Sequence, residues 1–172
     1  MSTNEIKLEI ERVLSPLVNE EFRYIFRAGN MLTLGFGEDV EYLKYNGQKM
    51  ISAKYAIHVQ TSWRISINDV ISVGSLDFNI PNKETSYDEF YKDINGGFGK
   101  SLFDTKSHEI NEYLIMTPTK VVGVCANDFG DLHVHMEHNI SLDVFVDSAK
   151  QDEHWRFFIQ NDGSKHFIVF DV

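Results

Sequence analysis

DLHVHMEHNISLDVF, residues 131–145, decides how this chain folds, because its two possible turns send opposite sets of side chains into the core. A two-residue turn at His138-Asn139 places His133, His135 and Glu137 on one face with Ile140, Leu142 and Val144. A three-residue loop, Glu137-His138-Asn139, instead pairs Met136 with Ile140, Val134 with Leu142 and Leu132 with Val144. Asn139 then takes the left-handed conformation that asparagine tolerates. Only the second register collects the apolar residues on one side, and a slip by one residue would turn all of them outward. An antiparallel hairpin with one buried and one wet face is therefore predicted.

That register also answers whether the histidine-rich stretch is a metal site. His138 falls at the loop tip, away from His133. His133 and His135 share the wet face, about 7 Å apart along the strand. His133 lies opposite Asp143 and His135 opposite Ser141. The local set that zinc or non-haem iron would accept is His133, His135 and Asp143, two imidazoles and a carboxylate. The competing structural reading is a His133–Asp143 pair on a solvated face.

Working outward, the same alternation recurs. Ile51, Ala53, Tyr55, Ile57, Val59, Trp63, Ile65 and Ile67 occupy odd positions, with mostly polar residues between them. They form one long strand, or two separated by a bend at Thr61-Ser62, with one face buried. Upstream, a loop at Ala28-Gly29-Asn30 would pair Phe26 with Leu32, Tyr24 with Leu34 and Phe22 with Phe36. The Asn46-Gly47 turn sets Val40 opposite Ala53 and Tyr42 opposite Ile51. Asn68-Asp69 turns the chain into VISVGSLDF. Downstream, TKVVGVCA, DLHVHM, ISLDVFV, HWRFFIQ and HFIVFDV read as a meander. An Asp162-Gly163 turn would pair Phe157 with Ile168 and Phe158 with Phe167.

Helices are few. Ser2-Thr3-Asn4-Glu5 has the form of a capping box, and Ile6, Ile10, Val13, Leu14 and Leu17 follow on one helical face until Pro16 ends the element. Ser86 caps a short helix, YDEFYKDI, that Asn95-Gly96-Gly97 ends. A further helix lies within 100–116, with Ile110, Tyr113 and Leu114 inward and Thr117-Pro118 as its stop. The fold class is α+β: one domain over 1–172, mainly antiparallel meanders of about ten strands, an N-terminal helix and one or two central helices.

The chain of 172 residues is long enough to bury a core, and 42% of it is apolar. Its formal charge of −10 opposes binding to nucleic acid and suits docking on a basic partner. The N-terminus lacks a signal-peptide pattern and no stretch has the length of a membrane span, so a cytoplasmic protein is expected. The single cysteine, Cys125, sits in the apolar run VVGVCA and reads as a small core residue.

Other candidate chemistry is sparse. His58, Gln60 and Arg64 fall on the even, polar face of their run and make a patch for a ligand or partner. Trp63-Arg64 and Trp155-Arg156 each send the indole inward and the guanidinium outward. Arg64 and Arg156 either pair with carboxylates or line one polar surface that grips an anion. No catalytic residue, P-loop, G-x-S-x-G or CxxC motif is read, and no cofactor is expected.

Three stretches, AIHVQTSWRI (56–65), GSLDF (74–78) and EHWRFFIQNDGSKHFIVF (153–170), resemble a family of small bacterial proteins whose function is unknown. The resemblance covers about the last two-thirds of the chain and implies no activity, cofactor or catalytic residue. The function expected first is a non-enzymatic bacterial binding protein, an immunity-type inhibitor of a basic toxin being one concrete form. The alternative is a β-rich domain that binds a small ligand or metal on a polar sheet face, and an enzyme ranks last.

Overall fold

In the computed structural model, which describes residues 3–93, 97–149, 152–161, 163 and 166–170, helix α1 (Thr3–Leu14) opens the chain. Its spacing puts Ile6, Ile10 and Leu14 into the core, with Leu17 following on a 3-10 turn that contains Pro16. The capping box beginning at Ser2 lies outside the described residues. So does part of the Asn95-Gly96-Gly97 stop.

Ten strands follow among the described residues: β1 (Phe22–Ala28), β2 (Met31–Leu43), β3 (Lys49–Val59), β4 (Ser62–Ile67), β5 (Val70–Gly74), β6 (Val121–Ala126), β7 (Leu132–Met136), β8 (Ile140–Phe145), β9 (Trp155–Ile159) and β10 (Phe167–Val169). They form two antiparallel sheets, ordered β1-β2-β3-β9-β10 and β5-β4-β8-β7-β6. Their inner faces and the inner faces of α1 and α3 (Leu102–Met116) share one apolar cluster, which includes Leu34, Ile57, Trp63, Leu142 and Trp155. With α2 (Tyr87–Lys92) between β5 and β6 in the chain, the class is α+β.

The 131–145 hairpin pairs as its hydrophobic pattern requires. Met136 faces Ile140, Val134 faces Leu142 and Leu132 faces Val144. All six side chains are buried. The loop places both His138 and Asn139 at positive φ, 59° and 53°. Asn68 and Asp69 also take positive φ, 52° and 63°, the pattern of a two-residue turn whose twist matches its strands.

Three other registers differ from expectation by about one residue. Around Gly29-Asn30 the loop has two residues, so Ala28 pairs with Met31 and Phe26 with Thr33. A bulge between Phe22 and Tyr24 restores the Phe22–Phe36 pair. Ile25, rather than Tyr24, thereby enters the core, and Phe26 is turned outward. The Asn46-Gly47 loop has three residues closed by a Lys44 N–H to Gln48 O bond. Gly47 holds φ 78°, the left-handed place that glycine fills without strain. Val40 therefore faces Ser52, and Tyr42 faces Met50. At the end of the chain Phe157 pairs with Phe167, not Ile168, which faces Arg156. Around Gly29-Asn30 the shift carries Ile25 into the core, so there the buried face outweighed the expected turn; part of the Asp162-Gly163 turn lies outside the described residues.

Two more expectations are corrected. The last five strands are not one meander, because β6, β7 and β8 belong to one sheet and β9 and β10 to the other. Cys125 is exposed, since it pairs with outward-facing His133 while its neighbour Val124 pairs with inward-facing Val134. On α3, Phe103, Ser107, Ile110 and Leu114 form the inner face, and Tyr113 stands at its margin with 37% exposure. Asn111 of the same helix reaches edge strand β1, accepting from the Ile25 N–H and donating to the Ile25 carbonyl, both at 2.9 Å. That pairing covers backbone groups an edge strand would otherwise leave open.

Candidate functional site

The run 51–67 proves to be two strands in two sheets. After Val59 the chain leaves the first sheet, and from Ser62 it runs in the second. The bend at Gln60-Thr61 therefore breaks the expected patch. His58 and Gln60 stay with the first sheet, whereas Arg64 lies on the outer face of the second.

On the first sheet, His58 of β3 stands beside Arg156 of β9. One oxygen of Glu153 accepts from Gln60 Nε2, at 2.9 Å, and from Arg156 Nε. Phe158 fills the space between the rings: His166 stacks on it at 4.3 Å and His58 meets it edge-on at 4.9 Å. Sequence reasoning had named His58, Gln60 and Arg156, but not Glu153, Phe158 or His166. Strand alternation already placed Phe158 two positions from Arg156 on the same face, which was the available signal.

Burial, and then the positive charge of Arg156 and the ring of His166, push the His58 imidazole down to about 4 from its ordinary 6.5. The folded chain thus holds His58 neutral where the unfolded chain would protonate it. Between those two values the unfolded state binds more protons, so His58 lowers stability as pH falls through that window. We expect the urea midpoint to decline between pH 6.5 and 4, and His58→Gln to flatten the decline. An unchanged slope in the variant would show that other groups cause it.

On the second sheet, four neighbouring strands each contribute one residue to a row: Cys125, His133, Asp143 and Arg64. Asp143 is the hub. One carboxylate oxygen accepts from Arg64 Nε at 2.8 Å, and the other contacts His133 Nδ1. Arg64 also lies over the Phe145 ring, 5.2 Å from its centre. His133 Nε2 turns the other way and meets His135, 2.8 Å from its Nε2 and 3.3 Å from its Nδ1. A cavity of about 230 Å³ adjoins the row, lined by Cys125, Asn127, His133, Asp143 and Phe145.

This geometry separates the proposed three-ligand set. Asp143 approaches His133 from the Nδ1 side and His135 from the Nε2 side, so the three cannot share one ion. Among the described residues no group of three His, Cys, Asp or Glu side chains is placed to hold a metal. Asp143 instead orients a histidine, as carboxylates commonly do behind imidazole ligands. Among the described residues the Cys125 sulfur has no hydrogen-bond partner, so no nucleophile–base pair is assembled here. Arg64 and Arg156, on different sheets, do not line a common surface, and each is held by a carboxylate.

Among the described residues no helix is long and apolar enough to cross a membrane. No protein-family model, no curated protein and no solved structure matches this chain.

Proposed function

We propose that this chain is a non-enzymatic binding protein of the bacterial cytoplasm that docks through an acidic surface on a basic protein partner, an immunity-type inhibitor being one such protein. One observation carries the reading. All five arginines are engaged by the chain's own carboxylates: Arg12 by Glu9, Arg23 by Glu21 and Asp39, Arg27 by Asp104, Arg64 by Asp143 and Arg156 by Glu153. With every arginine paired, the net charge of −10 comes from carboxylates in excess of the cations. Such a field steers encounter with positive surfaces and raises the association rate.

Affinity capture on the immobilised chain tests this. A basic protein retained at low salt and released as ionic strength rises is the expected result. Retention of the same proteins by an unrelated protein of equal charge would remove the reading.

A further inference from the structure

We propose that a groove beside Asp147 receives the guanidinium of an arginine side chain presented by the basic protein partner. This inference rests on the docking reading and gives it a point of contact. The groove, of about 260 Å³, opens where the chain passes from one sheet to the other at Gln60-Thr61. Thr61, Ser62 and Asp147 line it, together with Ser75, Leu76 and Asn79 of a 3-10 turn (Ser75–Asn79).

Asp147 differs from the carboxylates that hold the arginines. Asp39, Asp104, Asp143 and Glu153 each face a guanidinium of the same chain, whereas among the described residues no basic side chain forms an ion pair with Asp147. Neutral donors hold it instead. The Ser62 hydroxyl donates to Oδ2, and the Thr61 hydroxyl lies 2.7 Å from Oδ1. These two contacts keep the carboxyl below the usual carboxylate range, so at neutral pH it is an anion. They also fix its orientation in advance, which reduces the entropy lost when a partner group binds.

The Thr61 hydroxyl has one proton and two acceptors. Its oxygen stands 2.6 Å from the Phe145 carbonyl as well as 2.7 Å from Asp147 Oδ1. One of those acceptors therefore goes without that proton, and an N–H arriving from the groove supplies the missing donor. A guanidinium does so best, because its planar fork reaches both oxygens of one carboxylate, where an ammonium acts as a single point of charge. Leu76, 77% exposed at the groove, offers an apolar wall to the methylene stem of an arginine.

The test titrates the full chain with N-acetyl-arginine amide and, separately, with its neutral isostere N-acetyl-citrulline amide, following backbone amide resonances by NMR. At millimolar concentration the arginine probe should shift Thr61, Ser62, Leu76 and Asp147 before other residues, and the citrulline probe should not. Asp147→Asn should weaken binding about fivefold, the upper range for one exposed ion pair. Leu76→Ala keeps the carboxylate and its hydroxyl donors and should weaken binding about twofold through lost apolar contact. Glu38→Gln removes the same charge beside Lys54, six residues and about 20 Å along β3 from Gln60, and should leave affinity unchanged.

Equal weakening by Glu38→Gln would reveal a response to net charge alone and overturn the proposal. So would equal binding of the citrulline probe, shifts centred elsewhere on the chain, or no response to the arginine probe. The docking reading fails separately. Basic proteins retained equally by the parent chain and by Asp147→Asn would overturn the groove and leave docking intact. No basic protein retained, with the arginine probe still bound beside Asp147, would remove the docking partner and leave guanidinium recognition standing.

Discussion

Asp104→Ala should destabilise the fold by about 3–5 kcal/mol, the usual consequence of stripping one partner from a buried ion pair. Its partner Arg27 lies on the inner face of β1, with a side chain only 4% exposed. The guanidinium donates from Nη2 to Asp104 Oδ2 and to the Gly97 carbonyl, each at 3.2 Å, and lies 5.1 Å from the Phe98 ring centre. Its Nε is already buried without a partner. Removing Asp104 leaves a positive charge in an apolar setting with, among the described residues, the Gly97 carbonyl as its remaining hydrogen-bond acceptor. The same carboxylate oxygen accepts from the Ser101 backbone N–H and hydroxyl, so the reciprocal half of the α3 capping box is lost with it, while Ser101 Oγ still accepts from the backbone N–H of residue 104.

Arg27→Met removes the charge, keeps most of the volume and spares the cap, and should cost less. In the double variant the second change should partly offset the first, giving a coupling of about 1–3 kcal/mol. Urea denaturation of the four proteins measures the cycle. A loss below about 1 kcal/mol for Asp104→Ala would mean that the guanidinium finds water when its partner goes, and that the pair matters little.

Trp155→Ala is the second large effect, about 3–5 kcal/mol, or a fall in melting temperature of about 10 °C or more. Trp155 is fully buried in β9, in register with Val59 and Val169 of its neighbouring strands. Its indole N–H donates to the Gly130 carbonyl at 2.9 Å, and Gly130 belongs to the β6–β7 loop of the other sheet. The ring thus supplies core volume and ties the two sheets together. Trp155→Phe retains most of the apolar contact but orphans the carbonyl, so about 1–3 kcal/mol is expected. A phenylalanine variant as damaged as the alanine one would place the main effect in the hydrogen bond. An alanine variant melting within two degrees of the parent would refute the cross-sheet role.

The candidate sites were legible where one hairpin contains them. His133, His135 and Asp143 lie within eleven residues, and the pairing of apolar Val134 with Leu142 puts His133 opposite Asp143 from the sequence alone. The ring orientation, which sends Asp143 to Nδ1 and His135 to Nε2, was not legible, because a rotamer depends on neighbours such as Arg64 from a distant strand. His58, Gln60 and Arg64 illustrate the opposite case. Their shared parity suggested one patch, yet the bend at Gln60-Thr61 carries the chain between sheets, and parity has no meaning across that change. Cys125 was misread because an apolar run on an edge strand need not be buried on both faces.

What the amino-acid order determined alone is local: the amphipathic stripe of α1, the cap Ser86, the turn at Asn68-Asp69 and the inward set Leu132, Val134, Met136. These follow from propensity, capping and a two-residue period, each satisfied within a few residues. The division of ten strands into two sheets, the bulge that admits Ile25 in place of Tyr24, and the burial of Arg27 beneath α3 came only with the tertiary structure. They are settled by contacts among residues far apart in the chain, where filling a common core outweighs the preference of any single turn.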